Sequence, residues 1–118
     1  MATGTIKKIK EFPRWTMLVN DTTTANAVYD KTHTVSYPNS DKTEFMFSLQ
    51  RVSNGRTFAT TVIPADQFNG GAMYAGGNFG VSTTGNFINA VCIDSGNSQI
   101  EISVPSVNES IRVRFFVR

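Results

Sequence analysis

The sequence predicts an all-β domain, an antiparallel β-sandwich of jelly-roll type with about eight or nine strands. Three observations lead to this prediction. Apolar and polar residues alternate along most of the chain, clusters of turn-forming residues recur at intervals of about 8 to 12 residues, and no segment shows the 3.6-residue period of an amphipathic helix. A chain of 118 residues has room for one core, so residues 1–118 are predicted to form a single domain.

The clearest strands lie in three segments. Residues 44–52 read EFMFSLQRV and place Phe45, Phe47 and Leu49 on one face. Residues 99–105 (QIEISVP) and 111–118 (IRVRFFVR) repeat the pattern, with apolar residues on one face and polar or charged residues on the other. Such alternation is typical of antiparallel sheets with one solvated face. Weaker strand candidates are residues 5–12, 15–20, 26–37, 57–64, 72–81 and 87–94.

Two local signals mark the connections around residues 57–64. The sequence SNGR at Ser53–Arg56 places Asn-Gly between two alternating segments, which predicts a β-hairpin. The sequence PADQF at residues 64–68 predicts a single helical turn opened by the proline. An immunoglobulin-like sandwich is the alternative to the jelly roll, although the cysteine and tryptophan pattern of immunoglobulin domains is absent.

The charge of the chain is small. Charged residues make up 17% of the sequence and the net charge is +2. Nucleic-acid binding requires a denser cationic cluster, so it is not expected. The N-terminal segment has lysines but lacks the apolar run of a signal peptide. No run of about 18 apolar residues is present, so no membrane insertion is expected.

Cysteine and histidine each occur once, as Cys92 and His33. Cys92 lies within the apolar run FINAVCID, which indicates a buried thiol. The aspartates and glutamates are scattered, without the spacing of a metal site or a recognisable catalytic setting. The sequence therefore predicts no catalytic residue, no metal and no cofactor.

The segment from Ile63 to Phe87 is rich in glycine and aromatic residues. It lacks the Lys-Ser/Thr of a phosphate-binding loop, and no helix is predicted after it. We expect Tyr74, Asn78 and Phe79 to bind a ligand, because aromatic rings and side-chain amides suit sugar and protein surfaces. The competing interpretation, which the pattern favours slightly, places Tyr74 and Phe79 in the core of a strand, with glycines at bulges.

The last strand carries a second candidate surface. Arg112, Arg114 and Phe116 share the face opposite the apolar residues of this strand. An outward phenylalanine beside arginines is typical of an interface, so we expect these residues at a subunit boundary. The alternative is an edge strand protected by charge.

Three segments resemble small all-β proteins encoded in phage and prophage tail regions. They are MATGTIKK at residues 1–8, TFATTVIPADQFNGGAMYAGG at residues 57–77, and SIRVRFFVR at residues 110–118. The resemblance implies a tail-fibre, receptor-binding or baseplate accessory protein that catalyses no reaction. It further implies a virion protein made in the host cytoplasm, a homo-oligomer with a trimer favoured, and contacts with other virion proteins and with host surface glycan or protein.

Two further classes of function stay open at this point. One is a small-ligand-binding protein that sequesters a nucleotide signal, with arginines and aromatic residues lining a pocket at a subunit boundary. The other is a small glycan hydrolase, which would need two carboxylates about 5 to 10 Å apart in a cleft.

Overall fold

The computed structural model describes residues 14–36, 44–78 and 87–118. These ranges contain eight strands and one helical turn, and every strand pairing is antiparallel. The all-β prediction is confirmed. In chain order the elements are β1 (Thr16–Thr22), β2 (Tyr29–Thr34), β3 (Glu44–Arg51), β4 (Thr57–Pro64), α1 (Ala65–Phe68), β5 (Ala72–Asn78), β6 (Phe87–Gly96), β7 (Gln99–Val104) and β8 (Ile111–Val117).

The strands form two four-stranded sheets. Sheet A has the order β1-β8-β3-β4 and sheet B has the order β2-β7-β6-β5. This arrangement confirms the antiparallel sandwich. The finer jelly-roll assignment is not confirmed. Strands that follow one another in the chain are neighbours in the same sheet, β3 with β4 in sheet A and β5 with β6 and β7 in sheet B.

The alternating residues meet between the sheets. Three rings form the centre of the core, where Phe68 lies 5.0 Å from Phe45 and 5.6 Å from Phe115, measured between ring centroids. Phe68 belongs to α1, so the helical turn predicted at PADQF is confirmed and it closes the core. The apolar residues on the inner faces of β3, β7 and β8 are all buried: Phe45, Phe47, Leu49, Ile100, Ile102, Val104, Ile111, Val113, Phe115 and Val117.

The hairpin predicted at Asn54-Gly55 joins β3 to β4. Gly55 has a φ of 69°, a left-handed conformation that favours glycine. The Asn54 side chain accepts a hydrogen bond from the backbone N–H of Arg56 at 3.0 Å. The local sequence therefore specifies this turn.

The structure excludes one of the two interpretations of the glycine-rich segment. Tyr74 is 61% exposed, so the alternative that placed it in the core is wrong. Phe79 and the strand candidate at residues 5–12 lie outside the described residues.

Candidate functional site

The outer face of sheet B presents two exposed aromatic rings. Tyr74 on β5 is 61% exposed and Phe87 on β6 is 66% exposed. Along β5, Met73 and Ala75 point into the core, so Tyr74 and the alternate residues after it face outward. In the register of β5 with β6, Gly76 is opposite Asn89 and Asn78 is opposite Phe87. We call the five outward residues the ring–amide patch: Tyr74, Gly76, Asn78, Phe87 and Asn89.

Gly76 has a specific role in this patch. A Cβ atom at Gly76 would lie 2.9 Å from Cζ of Phe87 and 3.3 Å from Oδ1 of Asn89. The Phe87 ring therefore lies directly over the backbone of β5, and a larger residue would displace it. Because Gly76 has no side chain, the β5 backbone forms a flat surface on which the exposed Phe87 ring lies.

Gly77 serves the opposite face of the same strand. A Cβ atom there would overlap the carbonyl oxygen of Phe58 on β4, so this glycine permits close approach of the two sheets. Both glycines lie within a strand. The strand position of Gly76 and Gly77 agrees with the sequence interpretation that glycines of this segment lie in turns and strands.

Two of the three residues predicted for ligand binding, Tyr74 and Asn78, lie in the ring–amide patch. Sequence reasoning missed Phe87 and Asn89. Their signal was the alternation in FINAVCID, where Ile88, Ala90 and Cys92 are buried and the residues between them must face outward.

The electrostatics of this face are mildly negative. Asp30 on β2 and Glu101 on β7 lie on the outer face of sheet B, and no lysine or arginine lies there among the described strand residues. The patch itself carries no charge. Rings beside amides bind neutral polar molecules that also have apolar C–H faces, and the carboxylates disfavour anions.

The outer face of sheet A carries the residues predicted for a subunit interface. Phe116 on β8 is opposite Met17 on one side and Met46 on the other, and Met46 is opposite Val62. These side chains form a continuous apolar row across all four strands. Met17 is 47% exposed and Val62 is 44% exposed. We call Met17, Phe116, Met46 and Val62 the apolar row.

Arginines flank the apolar row on both sides. Arg112 donates to Oε1 of Gln50 at 3.2 Å, and Arg114 donates to Oδ1 of Asn20 at 3.5 Å. Arg118 binds Glu44 at 2.7 Å and lies 4.3 Å from the ring centroid of Trp15. The structure thus brings Arg112, Arg114 and Phe116 onto one exposed face, and their role at a subunit boundary stays a prediction.

A polar cluster joins the edge strands of the two sheets. The Tyr29 hydroxyl on β2 donates to Oδ2 of Asp21 on β1 at 2.7 Å. The same hydroxyl lies 2.8 Å from Nε2 of His33. Because the hydroxyl donates its own proton to Asp21, its oxygen accepts a hydrogen bond from the Nε2–H of the imidazole. Lys31 lies 3.4 Å from the Asp21 carboxylate. The cluster therefore connects sheet A to sheet B through side chains.

The protonation properties of this cluster follow from its contacts. The Tyr29 hydrogen bond lowers the pKa of Asp21, and burial raises the pKa of Tyr29. Burial also lowers the pKa of His33, so the imidazole is neutral at neutral pH. The carboxylate, the phenol and the neutral imidazole satisfy one another's hydrogen-bonding groups. We therefore assign the cluster a structural role.

Other reactive groups are few in the described ranges. Cys92 is buried, and burial raises the pKa of its thiol. Among the described residues, no group of three or more histidine, cysteine, aspartate or glutamate side chains is placed to hold a metal ion. No helix in that part of the chain has the length and apolarity needed to cross a membrane. No known protein family, curated protein or solved structure matches this chain.

Proposed function

We propose that this chain is a non-catalytic, tail-associated component of a phage virion that binds a neutral glycan of the host surface through the ring–amide patch. One observation carries the glycan assignment. Tyr74 and Phe87, at 61% and 66% exposure, share one face with two side-chain amides. Large rings exposed together mark an interaction site more often than isolated apolar residues do.

The patch has the groups that recognise a sugar. The apolar C–H face of a sugar ring stacks on Tyr74 or Phe87, and its hydroxyls exchange hydrogen bonds with Asn78 and Asn89. Tyr74 and Asn78 are four residues apart on β5, which corresponds to about 13 Å along the strand. That length accommodates two linked sugar rings.

The tail association has separate support. It depends on the resemblance of residues 57–77 and 110–118 to small tail-region proteins. These residues include β4, α1, β8 and all of β5 except Asn78. A virion location, contacts with other virion proteins and a homo-oligomeric state belong to the same proposal.

The test is binding to purified bacterial surface polysaccharides and to a glycan array. Tyr74→Ala and Phe87→Ala should each weaken the binding at least about tenfold, which corresponds to about 1.4 kcal/mol. Val52→Ala is the control, because Val52 is an exposed apolar residue that lies between β3 and β4, outside both the ring–amide patch and the apolar row. Circular dichroism of each variant verifies folding.

Two results would refute the glycan site. One is the absence of binding to any glycan tested. The other is glycan binding that Tyr74→Ala and Phe87→Ala leave unchanged.

The nucleotide-sequestering alternative has weaker support. Its arginines, Arg112 and Arg114, lie on an open sheet face and bond to the amides of Gln50 and Asn20. Calorimetric titration with mono-, di- and cyclic nucleotides separates the two functions, since the glycan proposal expects no heat of binding.

A further inference from the structure

The two outer faces of the sandwich carry opposite charges. On sheet A, three arginines and one glutamate give a net charge of +2: Arg112, Arg114, Arg118 and Glu44. On sheet B, one aspartate and one glutamate give a net charge of −2: Asp30 and Glu101. Both counts cover the described strand residues, together with Arg118, which directly follows β8. The charge is therefore distributed as a dipole across the sandwich.

Two arginines on sheet A and two carboxylates on sheet B make no ion pair with any of the described residues. The ion pairs in the described ranges are Lys31–Asp21, Arg51–Glu109 and Arg118–Glu44. In the same ranges, Arg112 and Arg114 bond only to amide oxygens, which leaves most of their N–H groups available. Asp30 and Glu101 make no ion pair among the described residues.

The spacing of the two cations matches the spacing of the two anions. Arg112 and Arg114 are two residues apart on β8, so their Cα atoms are about 6.8 Å apart. Asp30 is directly opposite Ser103, two residues beyond Glu101, so Asp30 and Glu101 are diagonal neighbours. Such neighbours are about 7 to 8 Å apart. Two guanidinium groups can thus meet two carboxylates at once, each in a strong charge-assisted pair.

Both faces also offer apolar area. The apolar row crosses the whole of sheet A. On sheet B, Phe87 is 66% exposed and Ile93 is 38% exposed, with Val91 between them on β6. Contact between the faces would remove exposed apolar side chains of both from water.

We propose that copies of this chain associate head to tail, with the outer face of sheet A on one copy against the outer face of sheet B on the next. Arg112 and Arg114 pair with Asp30 and Glu101 of the neighbouring copy. Contact between two identical faces would bring +2 against +2 or −2 against −2, and repulsion disfavours it. The contact is therefore heterologous, and it generates a ring or a stack.

The size of the faces sets the strength of the contact. β8 has seven residues and each sheet has four strands, so each face measures about 20 Å by 20 Å. That is about 400 Å² in projection, at the small end for specific interfaces. We expect micromolar to millimolar association that weakens with salt, because exposed charges are screened. In a stack, the last copy keeps its sheet B face open, so the ring–amide patch remains accessible there.

The experiment is sedimentation velocity over about 10 μM to about 1 mM protein, at about 0.05 M and about 0.5 M salt. Two double variants reverse one face each: Arg112→Glu with Arg114→Glu, and Asp30→Lys with Glu101→Lys. Each variant alone then presents the same sign on both faces and should sediment as a monomer. An equimolar mixture of the two should associate again, because every face meets its opposite.

Arg56→Glu is the matched control, since Arg56 is an exposed arginine in the β3–β4 turn and its reversal should leave association intact. Arg112→Gln with Arg114→Gln gives a milder second test if a reversal variant fails to fold. Wild-type protein that stays monomeric to about 1 mM at low salt overturns the proposal. So does association that survives either reversal, or a mixture that stays monomeric. The arginine variants leave the residues of the ring–amide patch unchanged and, as monomers, leave the patch uncovered in every copy, so they should still bind glycan.

Discussion

Replacing Tyr29 with phenylalanine tests the side-chain connection between the two sheets. The residue is 5% exposed, and the substitution removes only the hydroxyl that donates to Asp21 and accepts from His33. A hydrogen bond to a charged group contributes about 1.5 to 3 kcal/mol and one between neutral groups about 0.5 to 1.5 kcal/mol. Asp21 keeps bonds from Thr22 and Lys31 and its side chain is 33% exposed, which offsets part of the loss.

We therefore expect Tyr29→Phe to lower the free energy of unfolding by about 1.5 to 2.5 kcal/mol. The assay is urea unfolding followed by fluorescence or circular dichroism, with linear extrapolation to water. Tyr74→Phe is the matched control, because it removes a hydroxyl from a residue that is 61% exposed, and it should change stability by less than about 0.5 kcal/mol. Equal effects of the two substitutions, within about 0.5 kcal/mol, would refute the reasoning.

The same substitution has a pH signature. The hydrogen bond from Tyr29 lowers the pKa of Asp21 in the folded state. A carboxyl group whose pKa is lowered by folding contributes its full stabilisation above the pKa that it has in the unfolded chain, about 3.9. This contribution is lost as pH falls through the pKa of the folded state. The stability difference between wild type and Tyr29→Phe should therefore shrink below about pH 4. A difference that stays constant down to acid unfolding would contradict the assigned contact.

Three further outcomes are expected. Burial lowers the pKa of His33, so the unfolded state takes up a proton at a higher pH than the folded state, and stability falls as pH decreases below about 6.5. His33→Gln should therefore make the urea midpoint less dependent on pH between about pH 5 and 7. Gly77→Ala should cost at least about 2 kcal/mol in urea unfolding, because its Cβ overlaps the Phe58 carbonyl. Gly76→Ala displaces the Phe87 ring. It should reduce binding on the glycan array while leaving the melting temperature of the domain nearly unchanged.

Much of the fold could be predicted from alternation. The segment predicted as a strand at residues 57–64 matches β4, and the segments at 44–52, 99–105 and 111–118 match β3, β7 and β8 within one residue. These strands have one buried and one solvated face, so a period of two appears in the sequence itself. The turn at Asn54-Gly55 was predictable because only certain residues accept its backbone conformation.

The candidate site was less predictable. β5 reads AMYAGGN, with small residues on both faces, so alternation alone did not indicate which face was inward. Tyr74 faces outward because Met73 and Ala75 meet the opposite sheet, and that contact depends on residues far along the chain. Phe87 joined the patch through its register with Asn78, which sequence reasoning did not supply.

The sequence by itself therefore determined the strands, the β3–β4 hairpin, the helical turn and the inward face of the clearest strands. All of these depend on residues close together in the chain. Only the tertiary structure decided that β8 lies between β1 and β3 and that β7 lies between β2 and β6. That choice places Phe116 between Met17 and Met46, and Asp30 diagonal to Glu101. Such neighbours depend on strand pairing between distant segments. The alternation within a strand limits the register to steps of two residues, and the packing of the whole core selects one of them.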